Sequence, residues 1–254
     1  MATYEEELER FRPVIRRLTR VVLLGKKIEV RGAGNFMLSG PNVLVGNHIG
    51  SFKDVALLFK AVPRPIFFTA NRELFDAAEF HAVIRRHLER HFKEFGLTVN
   101  KLLGPLKSAF VRYVSSRIGR IGTVPVDISP GRQKGESLAL VESHLRAGRA
   151  VVALQGRGRL RRMYANPFLE PFKSGVAHIA HNLRVRAGVD VAVTPMAFLG
   201  THRPMLIPAR VRLNVGPPLY IRDFQGGDER ETIEKFRGAM EARVRALFFE
   251  LLSG

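Results

Sequence analysis

Apolar positions along this chain follow two periods, and each predicts a different kind of element. Leu8, Phe11, Ile15, Leu18 and Val22 recur at spacings of three and four, which is the stripe of an amphipathic helix. Arg10, Arg16, Arg17 and Arg20 take its other face, and Pro13 either kinks the helix or begins a second one. Such a helix either covers the core or lies on a membrane surface. Short apolar runs form the second pattern. Ile28–Val30, Val43–Val45, Pro65–Thr69, Val124–Val126, Ala150–Leu154 and Val189–Thr194 read as strands. The Val-rich runs among them are continuous, which suits strands buried on both faces of a mainly parallel sheet.

Helical patterns separate the runs. Val55–Ala61 follows the second, Leu74–Arg117 is mostly helical and strongly basic, and Gly135–Ala147 carries a core face of Ser137-Leu138-Ala139-Leu140-Val141 and Leu145. The last segment, Glu229–Leu252, places Ile233, Phe236, Met240, Val244, Leu247 and Leu251 at helical spacing and is expected to cap the sheet. Strand–helix alternation without a linker or repeat predicts a single α/β domain over 28–254, its mainly parallel central sheet flanked by helices, with residues 1–27 as an N-terminal amphipathic helical segment. In such a sheet the site is expected at the strand ends.

Charge changes this picture more than composition does. The chain has 254 residues and 46% hydrophobic content, enough to bury a core. Its 41 Lys and Arg against 23 Asp and Glu give a net charge of +18, which implies a polyanionic partner: an anionic membrane, nucleic acid or an acidic carrier protein. Cysteine is absent, so no disulfide framework, thiolate zinc site or thiol nucleophile is available. Met1–Thr19 is acidic at its start, unlike a signal peptide, and no apolar stretch approaches the ~18 residues of a spanning helix. A cytoplasmic protein, soluble or held at a membrane surface, is expected.

Candidate chemistry begins where the run Asn42–Gly46 gives way to Asn47-His48-Ile49-Gly50-Ser51-Phe52-Lys53-Asp54. A histidine at a strand end with a carboxylate one turn away has the parts of a general base, because the carboxylate can fix the tautomer and stabilise the imidazolium. The plain alternative is a polar strand end followed by a helix-start carboxylate. His87 and His91 stand four apart, but Leu88 occupies the position where the zinc-protease pattern needs Glu. Arg85, Arg86, Arg90 and Lys93 beside them repel a cation, so no metal site is expected.

The ordered series Asn47-His48, Ser51–Asp54, Asn71-Arg72-Glu73-Leu74-Phe75, Gln155-Gly156-Arg157-Gly158-Arg159, Pro171-Phe172-Lys173-Ser174-Gly175 and Val193-Thr194-Pro195-Met196 resembles the glycerolipid acyltransferases. The similarity is to the 1-acyl-glycerol-3-phosphate (lysophosphatidic acid) acyltransferase family and spans about residues 28–222. Two departures stand out. The family's His and Asp are separated by four residues, whereas here there are five, and the extra one looks like Gly50, the residue type that best absorbs an added position in a turn. Leu154 and Gln155 stand where the third block has Pro and Glu, so the acidic role there is lost or moved. The block at Val193–Met196 is expected to be a strand ending in proline.

The resemblance implies a glycerolipid-acyltransferase-like fold and transfer of a fatty acyl group from acyl-CoA or acyl-carrier protein to the free hydroxyl of a lysophospholipid. Neither metal nor bound cofactor is expected. His48 and Asp54 would be catalytic. Arg157, Arg159 and Lys173, with Gly156 and Gln155, are candidates for binding the acceptor's phosphate, because glycine N–H groups and cations together hold an anion. An arginine-rich nucleic-acid patch is the competing reading of Gly156–Arg162. A divergent, non-catalytic binder of anionic membrane or nucleic acid is the competing reading of the chain. The phenylalanines Phe52, Phe67, Phe68, Phe75, Phe80, Phe92 and Phe95 either line an acyl groove or are core, and core is the ordinary role.

Overall fold

The computed structural model describes residues 3–92, 104–126, 135–155, 166, 168–205 and 207–253. Two compact units are present, one comprising Met1–Leu8 with Phe67–Leu140, the other Glu9–Ile66 with Val141–Gly254. The elements in chain order are α1 (Tyr4–Val22), β1 (Lys26–Arg31), β2 (Asn42–Asn47), α2 (Phe52–Ala61), β3 (Ile66–Asn71), α3 (Ala77–Phe92), α4 (Gly104–Ile118), β4 (Val124–Val126), α5 (Gly135–Arg146), β5 (Ala150–Gln155), α6 (Gly175–Ala187), β6 (Ala192–Leu199), β7 (Ala209–Val215) and α7 (Glu229–Ser253). This is an α/β fold with mostly parallel strands and flanking helices, as the patterning predicts.

The larger unit is built on the strand order β1-β7-β6-β2-β5. Strand β2 lies parallel to both β5 and β6, β1 is parallel to β7, and the β6–β7 pair is antiparallel. Every residue of β2 is buried, which is why Val43-Leu44-Val45 runs without polar alternation. Ile233, Phe236, Met240, Val244, Leu247 and Leu251 of α7 are all buried, and the helix packs on β2, β6 and β7. Thus the stripe expected to cap the sheet does so.

Several elements differ from expectation. Strand β6 begins at Ala192, not Val189, and does not end at its proline but runs on to Leu199. Pro195 falls between the Val193–Leu219 bridge and the start of the β7 ladder at Met196–Val215, a gap where a missing N–H breaks no ladder bond. Its carbonyl is used, accepting from Gly216 N–H at 2.9 Å. Strand β7 and helix α6 were not foreseen. Pro13 lies inside one continuous helix, α1. The apolar stripe of α1 divides along its length: Leu8 is buried, whereas Leu18 and, beyond the stripe, Val21 and Leu24 are exposed.

In the smaller unit β3 and β4 are parallel, with Thr69 opposite Val124 and Asn71 opposite Val126. Helices α3 and α4 meet through Phe80 and Phe110, ring centroids 6.2 Å apart. The block Asn71–Phe75 forms a short 3-10 turn: Asn71 Oδ1 accepts from Glu73 N–H, and the Glu73 carboxylate takes Asn71 Nδ2–H at 2.9 Å and Arg86 at 3.2 Å. Arg72 reaches Glu136 at 3.5 Å. The side chains of His87 and His91 lie outside the described residues.

Candidate active site

Because β2, β5 and β6 are parallel neighbours, their carboxyl ends lie together, and chain segments leaving them converge. Asn47 at the end of β2 ties the neighbours down. Its amide donates to the carbonyls of Phe168 and Phe198, both at 3.1 Å, and its Oδ1 accepts from Phe198 N–H at 2.7 Å. A buried amide satisfied on both sides fixes the exit direction of the chain. His48 follows directly.

His48 Nδ1 lies 2.9 Å from Asp54 Oδ2, and Gly50 N–H donates to the same oxygen at 2.8 Å. A carboxylate offers only lone pairs, so the shared proton belongs to Nδ1, and Nε2 keeps its lone pair with no hydrogen-bond partner among the described residues. The imidazole keeps 24% of its exposure while Asp54 has none. Asp54 occupies the third position of α2, where unpaired helix N–H groups favour negative charge. The arrangement resembles a capping box, in which the third residue's side chain reaches back to the cap's N–H. Here it reaches one residue further, to Gly50, and this lengthened reach accommodates the five-residue interval.

Gly50 and Ser51 divide the work of that turn differently from expectation. The left-handed backbone belongs to Ser51, at φ 55°, ψ −126°, and not to Gly50. Gly50 is needed for space: a Cβ there would stand 2.3 Å from Thr201 Cβ, 2.5 Å from Thr201 Oγ1 and 2.7 Å from Asp54 Oδ1. Ser51 caps α2 without a side-chain bond, so its strain is uncompensated locally. Ser51→Gly should therefore raise stability by about 1 kcal/mol, the relieved strain exceeding glycine's added unfolded-state entropy. Urea denaturation checks this, and a loss of stability would show that Ser51 contributes more than its backbone.

Charge around the pair is organised by the loop after β6. Lys53 is buried and its ammonium donates to Arg203 O, while Lys26 donates to Pro204 O at 2.6 Å and to Ile207 O. Burial lowers the Lys53 pKa from its ordinary value, Lys26 adds to the effect and Asp54 opposes it. His202 has its ring edge-on to Phe168 at 5.1 Å. Its pKa is also lowered, by burial first and then by Arg203 and Lys53, with Asp54 opposing. Asp54 thus has two cationic or titratable neighbours besides His48.

Of the candidate phosphate ligands, Gln155 ends β5 directly opposite Asn47, and its Oε1 accepts Lys173 N–H at 3.3 Å. Its carbonyl oxygen is thereby engaged with the Pro171–Gly175 block, whose Phe172 N–H is held by Glu241 at 3.0 Å. Lys173 itself is exposed. Gly156, Arg157 and Arg159 lie outside the described residues. Phe67, Phe68 and Phe80 are core, Phe75 is half-buried, Phe52 is exposed at the first position of α2, and nothing described bears on the side chains of Phe92 and Phe95. Among the described residues no cluster of three or more potential metal ligands is present, and no helix is long and apolar enough to cross a membrane.

No protein-family profile matches this chain, and no curated protein matches it in sequence. Comparison of folds gives a different result. The chain is similar to the crystal structure of the 1-acyl-sn-glycerophosphate (LPA) acyltransferase PlsC from Thermotoga maritima, with a TM-score of 0.57 and 18% identity. The match covers 99% of this chain and 82% of that one. The two share a fold.

Proposed function

We propose that this protein is an acyltransferase that moves a fatty acyl group from a thioester donor, acyl-CoA or acyl-carrier protein, to the free hydroxyl of a lysophospholipid. Lysophosphatidic acid, yielding phosphatidic acid, is the acceptor that fits best. The observation that carries this reading is the His48–Asp54 pair, joined at 2.9 Å at the end of β2, with Nε2 unpartnered among the described residues. The shared fold supports it, since the Thermotoga protein is an LPA acyltransferase. His48 takes the acceptor's hydroxyl proton, the oxygen attacks the thioester carbonyl, and the proton passes to the departing thiolate. Asp54 holds the ring and stabilises the imidazolium. Arg157, Arg159 and Lys173 bind the acceptor's phosphate, with the N–H groups at Gly156 assisting.

Thiol release from acyl-CoA or acyl-carrier protein, measured over a panel of lysolipids, tests the proposal. Release should depend on a lysolipid with a free hydroxyl. Lysolipid-independent hydrolysis, or no release with either donor, would overturn it.

A lipid acceptor requires docking at a bilayer, and the exposed apolar residues Leu18, Val21 and Leu24, with Ile207 and Phe52 in the same unit, suit that task beside Arg16, Arg17 and Arg20. Co-sedimentation with vesicles should rise with anionic lipid and fall between about 0.05 and 0.5 M salt, each nearby cation contributing about 1 kcal/mol. Leu24→Glu should weaken it without changing turnover of short-chain, water-soluble substrates. Stronger salt-sensitive binding to duplex DNA than to any vesicle would favour a nucleic-acid partner instead.

A further inference from the structure

Asp54 is held at one oxygen only. Oδ2 receives both His48 and the Gly50 N–H, while Oδ1 is fully buried and has no hydrogen-bond partner among the described residues. Thr201 presents the complementary defect, since its Oγ1 is buried and equally without a partner. Both atoms border the same point, the Cβ position that Gly50 leaves empty, at 2.7 Å and 2.5 Å. An unsatisfied carboxylate oxygen and an unsatisfied hydroxyl are each costly when buried, and each is what the other lacks.

We propose that Thr201 is a positioning residue of this site, its hydroxyl donating to Asp54 Oδ1 so that the carboxylate is held at both oxygens. Both atoms border the space that Gly50 leaves open, which is where the bond would form. Position 201 can reach Asp54 because β6 runs parallel to β2 and ends beside it, and because Gly200, at φ 91°, turns the chain back over that end. The missing Cβ at Gly50 then has a purpose: any larger residue would separate hydroxyl from carboxylate. Lys53 and His202 are the other charged or titratable groups acting near Asp54: Lys53 is committed to Arg203 O, whereas His202, which burial keeps neutral, also has a buried Nδ1 without a partner among the described residues, and the Thr201→Val comparison separates its contribution from that of the hydroxyl.

The role rests on the acyl-transfer reading for its catalytic meaning, but its test does not. A hydroxyl that stabilises the Asp54 charge lowers the pair's proton affinity, so its loss should raise the pKa at which His48 titrates. The His48 imidazole, assigned by its absence from the His48→Ala spectrum, is followed by NMR through pH in the wild type, Thr201→Val and Thr201→Ser. Thr201→Val should shift it upward by roughly 0.5–1 unit, Thr201→Ser should leave it near wild type, and in an Asp54→Asn background Thr201→Val should have no effect. If Thr201→Val fails to fold, Thr201→Ala makes the same comparison.

In turnover, Thr201→Val should lower kcat about tenfold, the worth of one hydrogen bond to a charged group, with KM unchanged. An unmoved His48 titration in Thr201→Val overturns the proposal. So does a shift that persists with Asp54→Asn. A wild-type protein without thioester turnover would overturn the acyl-transfer reading alone and leave the titration result standing.

Discussion

His48→Ala should reduce acyl transfer by about 10²–10⁴-fold, the usual contribution of a positioned general base. The ring is partly exposed, so its removal opens Asp54 to solvent and does not leave a sealed void. Thermal unfolding should therefore move little, and added imidazole should restore part of the rate by occupying the vacated space. Asp54→Asn separates charge from geometry. Because the two hydrogen bonds observed at Asp54 both fall on Oδ2, an asparagine oriented with its oxygen there keeps them and loses the negative charge and the Oδ1 acceptor. The resulting fall in kcat measures how far the carboxylate stabilises the imidazolium. Wild-type turnover in His48→Ala would eliminate histidine as the base.

The parts of this site that were legible in the sequence are those made by neighbours in the chain. His48 and Asp54 lie six positions apart across one strand-to-helix turn, and the Val-rich run before them marks the buried strand that sets the turn at the carboxyl end of the sheet. The stripe in α7 was legible for a similar reason, since a single period recurs over a long helix. Strand β7 carries a different signal, the period-two alternation of Val211, Leu213 and Val215 with Arg210, Arg212 and Asn214, which a reading built on continuous apolar runs passes over. Thr201 was hidden more completely. Nothing around it distinguishes it from any threonine after a glycine; its nearness to Asp54 follows from the adjacency of β2 and β6, which local pattern does not encode. The role of Gly50 was legible in kind but not in cause. Its lack of a side chain matters because Thr201 and Asp54 press against it, while Ser51 carries the unusual backbone.

That cause sets the second large expectation, for Gly50→Ala. The added methyl would meet Thr201 Cβ at 2.3 Å and Asp54 Oδ1 at 2.7 Å, both far inside contact distance, and both neighbours are buried. Overpacking of this kind costs on the order of 1–3 kcal/mol in stability. The larger effect should be on rate, because a displacement of Asp54 by even a fraction of an ångström lengthens the 2.9 Å contact with His48 and releases the tautomer it fixes. A fall of roughly 10²-fold in kcat with the fold retained is expected, as a 1 Å misplacement typically costs that much. Deleting Gly50 gives the four-residue His–Asp interval and should also reduce activity, because the shortened turn withdraws the N–H that holds Asp54 Oδ2. A deletion variant as active as the wild type would show that the longer turn is incidental to the pair.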